Sequence, residues 1–253
     1  MEGEARTMIL PPLLLVLMPR RAAMTPQTAL ALAENMDGLG FRLLEEVGLP
    51  IDAARNALAQ RALAAPSGAL CLWIDDDCYW CGGTVELMVA TLQKNEGLDV
   101  LTAYFGPRAP FSTPLCLMRP NDKGSAPREG RDFRFGQIVP IASASMNFVL
   151  HRAELLHELG PAPFTPLPGS LGEDHSFFER IRAADRRAAL ASGIVVAHCE
   201  GDLAFVPGRR PLRVLDNTLA VADDPRTDAE IAAAYAGRNL RRSYGPAVDA
   251  LSS

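Results

Sequence analysis

Apolar positions in this chain fall into short unbroken runs, and stretches with helical spacing separate them. Met8 to Met18 is apolar throughout, with Pro11-Pro12 inside it, and predicts a first core strand. Thr25-Pro26 then reads as a helix N-cap followed by Pro at the first helical position. That helix continues through Ala29-Leu30-Ala31-Leu32-Ala33 towards Met36, where Asp37-Gly38 stops it. Phe41 to Val47 predicts a short strand, and Asp52 is placed to cap a helix from Ala53 to Ala64 that Pro66-Ser67-Gly68 ends. Ala69-Leu70-Cys71-Leu72-Trp73-Ile74 contains neither Gly nor Pro and predicts a buried parallel strand. Gly82-Gly83 precede a helix from Val85 to Lys94, and Asp99 to Phe105 predicts a fourth strand. This βαβαβαβ rhythm predicts an α/β fold whose parallel sheet has right-handed crossovers.

Beyond Phe105 the rhythm breaks. Pro107 to Gly136 is rich in Pro, Gly and Arg and predicts a long loop, of the kind usually tied to function. Met146 to Leu150 predicts a strand and Ala153 to Leu159 a short helix. A Pro-rich loop, Pro161 to Gly169, leads to Gly172-Glu173-Asp174. Helix Ser176 to Ala184 and strand Ile194 to Ala197 follow, with His198 at that strand's end. The tail carries Arg209-Arg210 and a predicted helix from Asp228 to Leu240. With 253 residues, the expectation is one domain: a nucleotide-binding half over 8–105, an acceptor and catalytic half over 106–200, and a tail over 201–253.

Composition narrows the classes. A content of 48% hydrophobic and 22% charged residues marks a globular chain. A net charge of -5 argues against general binding to nucleic acid or anionic membranes, although a nucleic-acid acceptor stays open. Five Cys in a chain of this size favour reduced thiols and a cytoplasmic location. No run is long enough to span a bilayer. The Met8 to Met18 run is not expected to be a signal peptide, since Met1 to Arg6 carries more acid than base and Arg20-Arg21 come after the run.

Three acidic or imidazole groups sit at element ends. Asp75-Asp76-Asp77 ends the third strand, where open α/β sheets bind ligands. Alternation along an extended chain sets Asp75 and Asp77 on one face, as two hard oxygen donors for Mg2+ or Mn2+. Glu173-Asp174 opens a helix; the plain role is a favourable charge at the dipole's positive end, and the chemical role makes Asp174 a general base. His198 is either a histidine satisfied by a carbonyl or a third metal ligand. Cys78 and Cys81 form a C-x-x-C pair, but Cys71, Cys116 and Cys199 supply no second pair for zinc. Motifs for nucleotide phosphate loops, dinucleotide folds, zinc proteases and serine hydrolases are absent.

Taken in order, these segments resemble a family. The strand ending in Pro19, Ala54-Arg55-Asn56 opening a helix, and Leu72-Trp73-Ile74-Asp75-Asp76-Asp77 resemble the nucleotide half of GT-A glycosyltransferases. Gly172-Glu173-Asp174-His175-Ser176-Phe177-Phe178 resembles their x-E-D motif, and Ile194 to His198 resembles the strand bearing their C-terminal His. Ser143-Ala144-Ser145-Met146 falls where that fold has a glycine-rich acceptor loop, although no Gly lies between Ile138 and Leu150. The resemblance covers about Met8 to His198 and is to the large inverting group. It implies a GT-A-like three-layer sandwich, a UDP-sugar donor and a divalent Mn2+ or Mg2+. Pro19 and Arg20 would line the nucleobase pocket, with Glu45 or Glu46 in place of the usual Asp. Arg55 and Asp76 would face the nucleotide. Asp75 would touch ribose or the metal shell, and Asp77 and His198 would ligate the metal. Apart from the resemblance, Arg209-Arg210 is either a diphosphate contact or a solvated basic turn. Asp174 would be the base, and Glu173 would hold hydroxyls. A nucleotidyltransferase, a nucleotide-sugar hydrolase and a non-catalytic carbohydrate- or cation-binding module are the alternatives.

Overall fold

The computed structural model describes residues 13–106, 116–118, 128–129, 135–201, 203–206, 211–215, 218–221, 227 and 229–230. Strand β1 spans Leu14–Arg20 and is buried from Leu14 to Pro19, as its unbroken apolar run requires of a central strand. Met8 to Pro12 lie outside the described residues. Helix α1, Pro26–Glu34, starts as its sequence dictates: the Thr25 side chain accepts from the Thr28 amide, and Pro26 occupies the first turn. Strand β2 is Phe41–Val47 and helix α2 is Ile51–Ala62. Pro50 caps α2 without a side-chain bond, so Asp52 is not its cap but lies in its first turn. Strand β3 is Leu70–Ile74, fully buried, and a two-residue strand β4, Cys78–Tyr79, follows the aspartates. Helix α3 is Thr84–Lys94 and strand β5 is Val100–Tyr104.

The expected structureless stretch from Pro107 to Gly136 contains two short strands, β6 at Cys116–Met118 and β7 at Arg128–Glu129. Strands β8, Ile138–Ala144, and β9, Phe148–Arg152, come next, then helices α4, Glu154–Leu159, and α5, Glu173–Ala183. The expected strand at Ile194 to Ala197 is instead a long β10, Ala188–Val195, followed after Val196 by β11, Ala197–Glu200. His198 therefore lies within β11 rather than at a strand end. Strands β12, Leu203–Phe205, β13, Leu212–Leu215, and β14, Thr218–Val221, complete the described strands.

Among the described residues the larger sheet has the order β2-β1-β3-β9-β5-β10-β8-β6-β7. Strands β2, β1, β3, β5 and β10 run one way, and β9 and β8 oppose them. The simple parallel rhythm is thus corrected at one place: β9 lies between β3 and β5 and is antiparallel to both. Helices α1 and α3 pack on one face, around Val16, Leu72, Trp80, Met88 and Leu92. Helices α2, α4 and α5 pack on the other, around Leu17, Leu58, Trp73, Leu156, Phe177 and Phe178. This is a three-layer α/β sandwich, with a central mostly parallel sheet flanked by helices. A second sheet, β14-β13-β12-β11-β4, is antiparallel. No helix among the described residues is long and apolar enough to cross a membrane.

Candidate active site

Strands β1 and β3 run in parallel register, Leu17 beside Trp73, and so deliver Arg20 and Asp75 to the same sheet edge. Strand β9 opposes β3, with Phe148 beside Ile74, and brings Asn147 to that edge. The Asp75 amide donates to the Asn147 carbonyl at 3.1 Å, and Asn147 Nδ2 donates to Asp75 Oδ2 at 2.7 Å. From the other side Arg55, 4% exposed in the first half of α2, donates through Nη2 to Asp75 Oδ1 at 3.1 Å. Its Nη1 bonds Glu173 Oε1 at the start of α5. One buried guanidinium thus ties three elements together at the sheet edge.

Charge is unbalanced there. Burial pushes the Asp75 carboxyl above its ordinary range; Arg55 opposes the rise and Asp77 adds to it. Burial also raises Glu173, against Arg55 and with Asp174. Burial alone would lower Arg55, but Asp75, Glu173 and Asp174 hold it above its ordinary value, so it stays charged. Burial, with Asp77 and Asp75 adding, takes Asp76 up to about 6. A sheet edge where acids outnumber Arg20 and Arg55 favours a cationic or hydrogen-bond-donating ligand.

The chain turns after Ile74, so strand alternation does not extend through the triplet. Asp75 faces Arg55 and Asn147, whereas Asp77 faces His198. The Asp76 carbonyl accepts from the Thr25 amide at 2.8 Å and from Thr28 Oγ1 at 3.1 Å, which anchors the turn to α1. Strands β4 and β11 meet where the chain leaves the larger sheet twice, with Cys78 paired to His198 and Tyr79 to Ala197. The Cys199 amide donates to the Asp77 carbonyl at 2.7 Å.

His198 stands with Nε2 3.2 Å from Asp77 Oδ2 and Nδ1 3.2 Å from the Gly106 carbonyl, its ring against Phe105. Both partners only accept, and a neutral ring carries a single N–H, so one of the two contacts is left without a donor. With Nδ1–H on the carbonyl, a cation between Nε2 and Asp77 would satisfy the other, since neighbouring ligands of an octahedral Mg2+ stand about 3 Å apart. No three His, Cys, Asp or Glu side chains gather into a complete metal cage among the described residues. Asp77 and His198 form a two-donor corner instead, with Asp75 engaged elsewhere. That corner fits an ion that takes its remaining oxygens from substrate phosphates and water.

Asp174 opens α5 beside Glu173, and the His175 amide donates to Asp174 Oδ1 at 2.7 Å. His175 Nδ1 lies 2.8 Å from Ser143 Oγ on β8. A Cβ at Gly172 would come within 3.2 Å of Asp174 Oδ1. Pro19 is buried, and Arg20 pairs with Glu45 at 3.0 Å, while Glu46 pairs with Arg61 at 3.2 Å. Of the two candidate base-reading acids, Glu45 is the one beside Arg20. Arg209 and Arg210 lie outside the described residues, as does most of the expected helix from Asp228 to Leu240. Cys78 is buried and Cys81 exposed, and both are free thiols.

Asn147 and Ser143 are the additions that sequence reasoning missed. Ser143 lies in β8 and Asn147 just before β9, and a lone polar residue in or near a strand gives no sign of which carboxylate or imidazole it will meet.

No family model matches the sequence, and no curated protein matches it. Solved structures do. The protein A197 from STIV superposes with a TM-score of 0.56 at 16% identity, over 85% of this chain and 99% of that one. GalNAc-T7, solved with UDP, GalNAc and Mn2+, gives 0.46 at 12% identity, over 74% of this chain and 43% of that one. Glucosyl-3-phosphoglycerate synthase from Mycobacterium tuberculosis, solved with Mn2+, UDP and phosphoglyceric acid, gives 0.42 at 14% identity, over 75% and 71%. At this level of identity, the likeness to A197 shows a shared fold.

Proposed function

We propose that this chain is a metal-dependent glycosyltransferase that moves a sugar from a nucleoside-diphosphate sugar, a UDP-sugar, to an acceptor hydroxyl with inversion. One observation carries the reading. Arg55 joins Asp75 to Glu173, while Asp77 meets His198, so residues far apart in sequence converge at the carboxyl ends of β1 and β3.

Pro19, Arg20 and Glu45 flank the nucleobase, and Arg55 and Asp76 face the nucleotide. Asp77 and His198 would hold Mn2+ or Mg2+, which when bound neutralises charge on the departing diphosphate. Arg209 and Arg210 add cationic contacts to that diphosphate. Asp174 accepts the acceptor's hydroxyl proton as its oxygen bonds the anomeric carbon. The bond from that carbon to the phosphate oxygen breaks, and the diphosphate leaves with the electron pair from the opposite face. Glu173 orients hydroxyls from its anchored position on Arg55. The reaction belongs to the cytoplasm, where nucleotide sugars are available.

Product analysis by mass spectrometry across a nucleotide-sugar panel with Mn2+ tests this. Sugar transferred to an added acceptor is the expected result. Pyrophosphate would point to nucleotidyl transfer, free sugar alone to a hydrolase, and no turnover to a binding module.

A further inference from the structure

The start of α5 spreads three consecutive side chains to different neighbours. Glu173 reaches Arg55 on the side of β3. His175 reaches the opposite way, to Ser143 on β8. Asp174 stands between them and accepts from the His175 amide. Successive helical residues are about 100° apart, so this division follows from the helix itself.

Ser143 is 4% exposed, in a strand whose neighbours Ile141, Ala142 and Ala144 are buried and apolar. A hydroxyl there needs a partner, and the His175 ring provides it at 2.8 Å. The bond fixes the ring through Nδ1. No described residue takes His175 Nε2, and the ring is only half-buried. Strand β8 also pairs Ser143 with Leu117 of β6, so the ring stands on the side where the Pro107 to Gly136 stretch joins the sheet.

Resting on the glycosyltransferase reading above, we propose that His175 is an acceptor-binding residue: held by Ser143, its Nε2 hydrogen-bonds an acceptor hydroxyl next to the one that Asp174 deprotonates. Adjacent groups that each take one hydroxyl fit a polyhydroxy acceptor, a sugar or glycan, better than a simple alcohol. Ser143 is a positioning residue that acts through the ring. It sets which nitrogen is presented and where.

The test compares the parent chain with His175→Ala, His175→Gln and Ser143→Ala. Each is given a UDP-sugar with Mn2+ and a panel of p-nitrophenyl glycosides as acceptors. Transfer and the hydrolysis of donor by water are measured together, and UDP affinity is measured by calorimetry. The loss of one hydrogen bond corresponds to about threefold to tenfold. His175→Ala is therefore expected to raise the acceptor KM and lower the transfer-to-hydrolysis ratio by that much, with UDP affinity and hydrolysis unchanged. His175→Gln, whose amide reaches a similar position, should recover part of the loss, and Ser143→Ala should fall in between. A structural role alone would lower hydrolysis and transfer equally. That result, or an unchanged ratio in His175→Ala, overturns the inference while leaving the glycosyltransferase reading intact. Failure of the parent chain to bind UDP or to turn over any UDP-sugar overturns both.

Discussion

Arg55 is the residue that ties the proposed nucleotide side of the site together. It is 4% exposed and neutralises two carboxylates, Asp75 and Glu173, that are themselves mostly covered. Removing one partner of such a buried ion pair typically costs about 3–5 kcal/mol, because the remaining charges lose their counter-ion. Arg55→Met is thus expected to unfold at markedly lower denaturant concentration at pH 7.5. The sign of its pH dependence follows from the acids. Both already have raised pKa values, and without Arg55 they rise further, so protonation relieves the strain and the deficit shrinks as pH falls towards 5. Denaturation curves at the two pH values check this; an equal deficit at both contradicts it. Asp174 makes a different prediction. Asp174→Asn keeps the bond from the His175 amide but cannot accept a proton. Its turnover should fall by at least about 10²–10⁴-fold, with donor affinity nearly intact. Transient kinetics with a UDP-sugar measures both, and retained turnover would remove Asp174 from the base role.

At the scale of elements, strand β3 shows how a framework also constrains pH. Trp73 donates to His151 Nε2 at 2.9 Å, and His151 Nδ1 donates to the Arg152 carbonyl at 2.7 Å. The ring is therefore neutral, and its burial lowers the pKa to about 4. An unfolded chain binds that proton near pH 6.5, so the stabilisation present above pH 6.5 is lost progressively as pH falls to about 4. The full loss is about 3 kcal/mol. His151→Gln, which keeps an acceptor for Trp73, should flatten that slope in thermal melts between pH 4 and 7. The β3 strand itself was legible, because a buried strand reads as an unbroken apolar run. So were β2 and α1, whose bounds and cap follow from local sequence. The insertion of β9 between β3 and β5 was not, since pairing partners are set by tertiary contacts and an apolar strand carries no sign of its direction. Likewise Asp75, Asp77, Glu173 and His198 stood out as chemistry-bearing residues. Their grouping did not: alternation pairs Asp75 with Asp77, whereas the turn after Ile74 sends one to Arg55 and the other to His198.

For the whole molecule, the two sheets share a border at the proposed metal corner. Asp77 precedes β4 and His198 lies in β11, both at points where the chain passes from the larger sheet to the smaller. An ion held there binds only the assembled fold, so it should stabilise the native state by mass action. At a hundredfold excess over its dissociation constant, Mn2+ with UDP is expected to add about 2.7 kcal/mol. Calorimetric melts should show this gain in the parent chain and lose it in Asp77→Ala and His198→Ala; a gain preserved in both variants contradicts the assignment.

That border rests on a ladder only two residues long, Cys78 opposite His198 and Tyr79 opposite Ala197. A slip by one position would bring the Cys78 thiol to where the Asp77 carboxylate belongs, and would turn the buried Cys78 and Tyr79 to the opposite faces. The safeguard lies outside the ladder: the hydroxyl of Thr28 clasps the Cys78 carbonyl at 2.8 Å from the neighbouring helix. Alignment of the proposed metal corner therefore leans in part on a threonine that belongs to neither sheet.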